Sequence, residues 1–439
     1  MLKSLQKAFK VKEVRDRLLY TFMMLVVIRI GCCLPIPGVD PSYLHDFFSN
    51  LQNSGMGFFN AITGGSFSSM SIFALSITPY ITSSIIMQLL TIAIPKLEEM
   101  QKDGEDGRKK IAEYTRYLTV GLALFESCAM AVGLGGKGLL LEDHRNIWGY
   151  LTVVAAMTAG SALLMWIGER ITDNGVGNGI SIVLLINIVS GTPQDMMTLY
   201  ERFMAGRSVA VATVSGIIVL AIIVAIVVFV LVLNDAERRI PVQYSKKMQG
   251  RRMIGGQSTY IPLKVNTANV IPVIFASSIM SMPVMIAQFF HVDYSTIGGK
   301  ILLALSSSNW FKPEAPAYSI GMLVYIVLVV LFAYFYTSIT FNPLEVADNI
   351  KKQGGFIPGI RPGKPTSDYL TKMLNYIIFI GAVGLIIVAV IPFFFNGVFG
   401  ANVSFGGTSI IIVVGVVLET VKQIESQLLV RNYKGFLNN

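Results

Sequence analysis

The sequence predicts an all-α membrane protein, and three observations carry the prediction. The chain is 53% hydrophobic and 14% charged, its mean hydropathy is +0.62, and its Lys and Arg collect between alternate apolar stretches. A soluble chain carries roughly 25% charged residues, so composition alone points to an integral membrane protein. About 20 apolar residues cover the roughly 30 Å of bilayer hydrocarbon. Ten stretches qualify, near 18–34, 73–94, 115–134, 147–167, 177–192, 209–233, 268–290, 317–341, 370–391 and 405–421. Cytoplasmic loops hold the excess of basic residues. With the N-terminus inside, the inner segments hold 28 Lys and Arg, the outer ones hold 6, and Arg29 lies within the first span, which accounts for all 35. Both termini are therefore expected in the cytoplasm, and the net charge of +9 reflects topology rather than a nucleic-acid site.

The chain starts basic and amphipathic (Lys3, Lys7, Lys10, Lys12, Arg15, Arg17) and runs straight into a span, without a small-residue cleavage site of a removable signal peptide. Arg29 sits six residues before Pro35, roughly 9 Å along a helix, so its side chain is expected to snorkel to the outer interface. Residues 55–72 carry four Gly and four Ser among aromatics, too polar for lipid and too apolar for an ordinary exposed loop. Irregular backbone at membrane depth survives only under protein or beside a water-filled cavity. Two readings follow: a segment that dips into the protein and returns as the span 73–94, or a loop packed on the surface.

Glu126 is too deep in its span to reach water and is expected to be protonated, hydrogen-bonded to a neighbouring helix, or facing a cavity. No other span offers a matching carboxylate, so structural burial is favoured over proton coupling. The run 168–181 is glycine-rich but lacks the dinucleotide spacing, because position 180 is Ile, and it reads as a tight inner turn between spans. The inner loop 234–266 shows partial alternation over 239–246 and 253–262 on either side of Gln249-Gly-Arg-Arg252, which predicts a β-hairpin with an arginine pair at its tip. The inner loop 342–369 holds Arg361 in a stiff Pro- and Gly-rich turn. Ordered turns that fix Arg heads argue for a docking surface.

The chemistry of an enzyme has little to stand on. Cys32 and Cys33 are adjacent and Cys128 lies in another span, which offers neither a zinc spacing nor an evident disulfide. His45, His144 and His291 all fall in expected outer loops, and no His-Glu-x-x-His run occurs. No cofactor is expected. A secondary transporter for a small solute remains an alternative, since such proteins also use broken helices. It would want paired buried charges, and the spans are aliphatic.

Arg29-Ile-Gly31 with Pro35-Ile-Pro-Gly38, Phe73-Ala-Leu75 with Pro79-Tyr-Ile81, Gly177-Asn-Gly-Ile-Ser181, Gln249-Gly-Arg-Arg252, Phe275-Ala-Ser-Ser278, Phe356-Ile-Pro-Gly-Ile-Arg-Pro-Gly363 and Phe405-Gly-Gly-Thr-Ser409 follow one another along the chain. With these phrases the sequence resembles the SecY/Sec61-alpha family, the large subunit of the Sec protein-translocation channel, over essentially its full length. The resemblance implies ten helices in two inverted pseudo-symmetric halves of five, 1–200 and 201–439, with a re-entrant plug segment. The implied function is conduction of unfolded polypeptide across the bacterial cytoplasmic membrane, or sideways into lipid.

By that similarity the plug spans Asn60 to Ile72, with Asn60, Gly64, Gly65, Ser66, Phe67, Ser68, Ser69 and Met70 as its residues. The pore ring is Ile77, Ile81, Leu184, Ile188, Ile274 and Ile412, where Leu184 departs from the usual isoleucine. Spans two and seven are the lateral gate, and Thr82, Ser83, Ser84, Gln88, Ser277 and Ser278 are the polar residues able to join them. Arg251, Arg252 and Arg361 are the expected docking residues for the SecA motor and the ribosome. Further implied partners are small SecE-like and SecG-like membrane subunits, signal sequences and preproteins, and membrane lipid.

Overall fold

A computed structural model describes residues 9–40, 63–244, 247–249, 252–254, 258–289, 296–311, 316–399 and 407–437. A helix lies over each of the ten apolar stretches. Among the described residues, five helices are long and apolar enough to cross a membrane on those two criteria, Ile147–Asn174, Gly179–Phe203, Val209–Asp235, Pro316–Lys352 and Lys364–Ile391, and the bent pair Thr78–Ala93 with Pro95–Lys102 makes a sixth if it is one span.

Helix α1 (Lys12–Cys33) stops just before Pro35, as expected of a residue whose α conformation the following ring disfavours. The next helix, α2 (Thr78–Ala93), starts five residues later than the apolar stretch at 73. Ser76 has a left-handed φ of 52°, and Pro79 occupies the first turn, where a missing N–H does no harm. Pro95 then breaks the chain by 102° into the short α3 (Pro95–Lys102). Two long helices follow, α4 (Glu105–Leu134) and α5 (Ile147–Asn174).

The glycine-rich run after α5 is the expected tight turn. Gly177 adopts φ 82°, and Asn178 caps α6 (Gly179–Phe203) by accepting from the N–H groups of Ile180 and Ser181 at 3.1 and 3.4 Å. Gly179 packs so closely on Gly168 that an added Cβ would lie 1.8 Å from its carbonyl oxygen. Helix α7 (Val209–Asp235) leads to a sheet built from both long loops. Strand β1 (Glu237–Tyr244) pairs antiparallel with the later β4 (Ser258–Lys264), in register Ile240 to Ile261. Between them the shorter β2 (Lys247–Gln249) and β3 (Arg252–Ile254) form a separate ribbon.

The C-terminal part continues with α8 (Ile271–Phe289), α9 (Ile297–Leu305), α10 (Ile320–Thr340), α11 (Pro343–Lys352), the two-residue β5 (Gly355–Phe356), α12 (Lys364–Phe399) and α13 (Gly407–Leu437). Strand β5 pairs with β1, Gln243 opposite Phe356, and so ties the second long loop to the first.

Four apolar clusters account for most of the core. One is built from residues 36 to 157 alone and includes Phe67, Met70, Leu75 and Met130. Two belong to the C-terminal part: one surrounds Trp310, Tyr325 and Phe332, and the other packs Ile240, Val242 and Leu263 of the sheet on Leu370 and Leu374 of α12. The fourth joins the two parts of the chain.

Candidate functional site: an aliphatic collar and the turn beside it

The fourth cluster unites side chains from α1, α2, α5, α6, α8 and α13. All six expected ring residues belong to it: Ile77, Leu184, Ile188, Ile274 and Ile412 are buried, and half-buried Ile81 packs against them. Periodicity explains the convergence. Leu184 and Ile188 are four residues apart on one face of α6, and Ile77, just before α2, is four residues from Ile81, whose N–H donates to the Ile77 carbonyl at 3.1 Å. Chemically, branched aliphatic chains offer no group that would hold an ion or a water in place.

Beside the collar lies the turn at 63–70. Asn60 falls outside the described residues. Gly64 and Gly65 take φ of 64° and 81°, Ser66, Phe67 and Met70 are buried, Ser68 is half-buried and Ser69 is exposed. Phe67 and Met70 are anchored in the cluster of residues 36–157, with exposures of 1% and 0%. The Ile36 N–H donates to the Met70 carbonyl and that of Ile72 to Leu34, both at 3.0 Å, so the strand-like 34–36 segment holds the end of the turn. Of the two readings of 55–72, the described part, from 63 on, is packed inside rather than lying on the surface.

Residues missed by sequence reasoning surround this turn. Asn187, 1% exposed, donates through Nδ2 to Ser76 Oγ at 2.9 Å. The Ser161 hydroxyl donates to the Ser76 carbonyl at 3.2 Å. Arg29 Nη1 donates to Ser190 Oγ of α6 at 2.9 Å, a cross-helix bond that the sequence reading did not foresee. The signal was present in the sequence: Asn187 and Ser190 are polar residues three apart on an otherwise aliphatic span, and such residues join membrane helices.

The expected gate residues divide. Ile85 of α2 packs against the cluster that contains Phe275, Ala276 and Met280 of α8. The hydroxyls of Thr82 and Ser83 are spent within α2, on the carbonyls of Thr78 at 3.1 Å and Pro79 at 2.7 Å, and do not bridge to α8. A hydroxyl at membrane depth satisfies itself one turn back when no partner helix offers an acceptor. Ser84 and Ser278 are half-buried, Ser277 is buried and Gln88 is exposed. Glu126 has one carboxylate oxygen buried without a hydrogen-bond partner.

On the β2–β3 ribbon, Gln249 pairs with Arg252, where the hairpin reading expected a tip; Gly250 lies outside the described residues. Arg251 itself lies outside the described residues. Arg361 is exposed on a turn fixed by Gly359 (φ 83°) and Gly363 (φ 103°), and its carbonyl accepts from the Thr366 hydroxyl at 2.9 Å. Arg239, by contrast, is engaged, bonded to Glu237 at 2.6 Å and stacked over the Tyr260 ring at 4.7 Å. Cys32, Cys33 and Cys128 are free thiols.

Comparison with known proteins places this arrangement. Curated relatives named protein translocase subunit SecY are 47% identical in Streptomyces scabiei and 42% identical in Halalkalibacterium halodurans, each match covering 100% of this chain and 100% of the relative. Among solved structures, a protein-conducting channel is similar with a TM-score of 0.60 at 18% identity, over 94% of this chain and 92% of that one. The Sec61 chain of the canine ribosome-channel complex from the endoplasmic reticulum gives 0.58 at 17% identity over the same shares. At such identities these likenesses speak for the fold. The SecY family model itself matches residues 71–421, from the end of the turn through the collar to α13, and the chain belongs to the SecY family.

Proposed function

We propose that the chain is a protein-conducting channel, which passes unfolded polypeptides across the cytoplasmic membrane and releases signal sequences and membrane segments laterally into lipid. The observation that carries the reading is the convergence of six aliphatic residues from four separate segments in one cluster, with a glycine-bearing turn packed beside it. An apolar collar deforms around a moving chain without binding any one sequence, and at rest it excludes water. The turn at 63–70 is the plug, and α2 and α8 are the gate through which apolar segments leave. Ten spans are arranged as two inverted halves, 1–200 and 201–439, with both termini cytoplasmic. The collar lies at the seam of these halves, because its cluster draws on residues 28–188 and on Ile274, Ile412 and Val416.

The role is non-catalytic. The relatives' printed name makes them translocase subunits, and the similar Sec61 chain comes from a ribosome-channel complex. The partners proposed here are the ribosome, a SecA motor, and SecE-like and SecG-like subunits. A small-solute transporter is not favoured, since such a site needs convergent polar groups and the seam is aliphatic. The direct test is an arrested preprotein carrying a signal sequence, probed by a photo-crosslinker at Ile81, Ile188 or Ile274. Cross-links at these positions, and none at exposed Val132 of α4, are expected; capture at Val132 alone would remove the collar from the conducting path.

A further inference from the structure

Arg29 and the turn at 63–70 meet on one side of α6. Arg29 Nη1 donates to Ser190 Oγ at 2.9 Å, and Ser190 Oγ lies 2.6 Å from the Asn187 carbonyl and 3.5 Å from the Gly64 carbonyl. A hydroxyl has one proton and two lone pairs. Its proton is shared unequally, mainly with the near acceptor, Asn187, and weakly with Gly64, so the firm bonds run inside the wall formed by α1 and α6. Only the long contact crosses to the turn. The backbone approach is tight: Gly64 has φ 64°, and an added Cβ would lie 2.9 Å from the Asn187 Cα, the Asn187 carbonyl oxygen and Ser190 Oγ.

We propose that Arg29 and Ser190 form a preorganised socket for Gly64, and that Arg29 is a positioning residue which holds the 63–70 turn in its resting place; this rests on reading that turn as the seal. The socket keeps its own hydrogen bonds whether or not the turn occupies it. Unseating the turn therefore breaks no short hydrogen bond of the socket. The turn is itself incompletely satisfied, since the Ser66 hydroxyl is buried beside the Cys32 side chain without a hydrogen bond of good geometry. Met70, at the end of the turn, adopts φ 41°, a strained value for a side-chain-bearing residue. A guanidinium that bonds across to α6 thus sets a light latch: firm on the wall, weak on the moving part. A charged donor contributes more than a neutral one to such a seat.

The test is resting ion conductance of the full chain, with its co-purifying subunits, in planar bilayers without substrate. Arg29→Gln and Ser190→Ala are each expected to raise it about tenfold, the factor that corresponds to about 1.4 kcal/mol. Arg29→Lys keeps a charged donor and is expected to restore most of the seal. The double variant is expected to leak no more than either single one, since both remove one interaction. Gly64→Ala attacks the same contact from the turn and is expected to leak equally. A second readout uses Ser66→Cys, whose oxidative cross-link to native Cys32 is expected to form in the resting channel and to form several-fold more slowly with Arg29→Gln. Wild-type conductance and cross-linking rate in Ser190→Ala and in a fully inserted Arg29→Gln would overturn the socket; should Arg29→Gln fail to insert, silent Ser190→Ala and Gly64→Ala do so. Deletion of 63–70 separates the two readings: no leak on deletion defeats the seal itself, whereas a leaky deletion with silent point variants defeats only the socket.

Discussion

On the reading proposed above, Ile81 and Ile188 are the smallest unit at which the seal can be broken. They stand on α2 and α6 within one aliphatic cluster, and a serine or asparagine at both positions would hold water where the collar now sheds it. The double variant is expected to fold and insert but to raise resting single-channel conductance and to export a signal-defective reporter. Wild-type levels of both in folded protein would show that these residues do not seal. Glu126 makes the opposite prediction. Its buried oxygen lacks a partner, so Glu126→Leu relieves an unsatisfied group and is expected to leave thermal stability unchanged or raised by about 1–3 kcal/mol. A marked loss of stability would reveal a partner for the carboxylate. At this scale the sequence was legible where a residue acts by its apolar bulk at helical spacing. The Arg29 cross-helix bond was not legible, because it depends on the position of Ser190, over 160 residues away.

The elements show the same division. Alternation around Gln249-Gly-Arg-Arg252 was sufficient to read an antiparallel pair there, but not its division into β1 with β4 and a separate ribbon between them. Helix α11 was legible in principle and missed: Asn342 accepts from the Leu344 and Glu345 N–H groups at 3.1 and 3.4 Å, Pro343 fills the first turn, and Lys351 and Lys352 close the last. Strand β5 was not legible, since two residues carry no period and their pairing with Gln243 and Tyr244 depends on residues over 100 positions away. That pairing ties the loop that carries Arg361 to strand β1 of the first loop. Alanine or glutamate at Arg251, Arg252 and Arg361 together is expected to weaken ribosome and motor binding at least tenfold, about 1.4 kcal/mol or more, while resting conductance stays at its wild-type value. Unchanged affinity for both partners in the triple variant would reduce the loops to topology signals.

For the whole molecule, hydropathy located every long helix but not its ends. Helix α12 extends to Lys364–Phe399 and α13 to Gly407–Leu437, because helices continue past the hydrocarbon where polar residues still favour them. The late start of α2 was hidden by the apolar residues 73–77, whose role is packing rather than spanning. Orientation rests on the 28 to 6 division of basic residues. Cysteines introduced at Lys246 and Lys351 are expected to react with impermeant thiol reagents from the cytoplasmic face only. Labelling of either from outside in intact cells would invert the arrangement.

The clamping of residues 71–77 has a kinematic consequence. The Ile72 N–H is bonded to Leu34, its carbonyl lies where a Cβ on Gly160 would come within 2.0 Å, and the Phe73 ring lies equally close to Gly31. The turn therefore cannot slide away; it can only swing from Ile72 as a leashed flap. Eight residues separate Ile72 from Gly64, a leash of at most about 28 Å. Return to the seat is thus an intramolecular encounter at millimolar effective concentration, and chain segments of this length close in roughly 10–100 ns. With the turn read as the plug, as proposed above, the interval during which a vacated pore stands open is then governed by the departure of the last translocated residue, not by the search of the stopper for its seat.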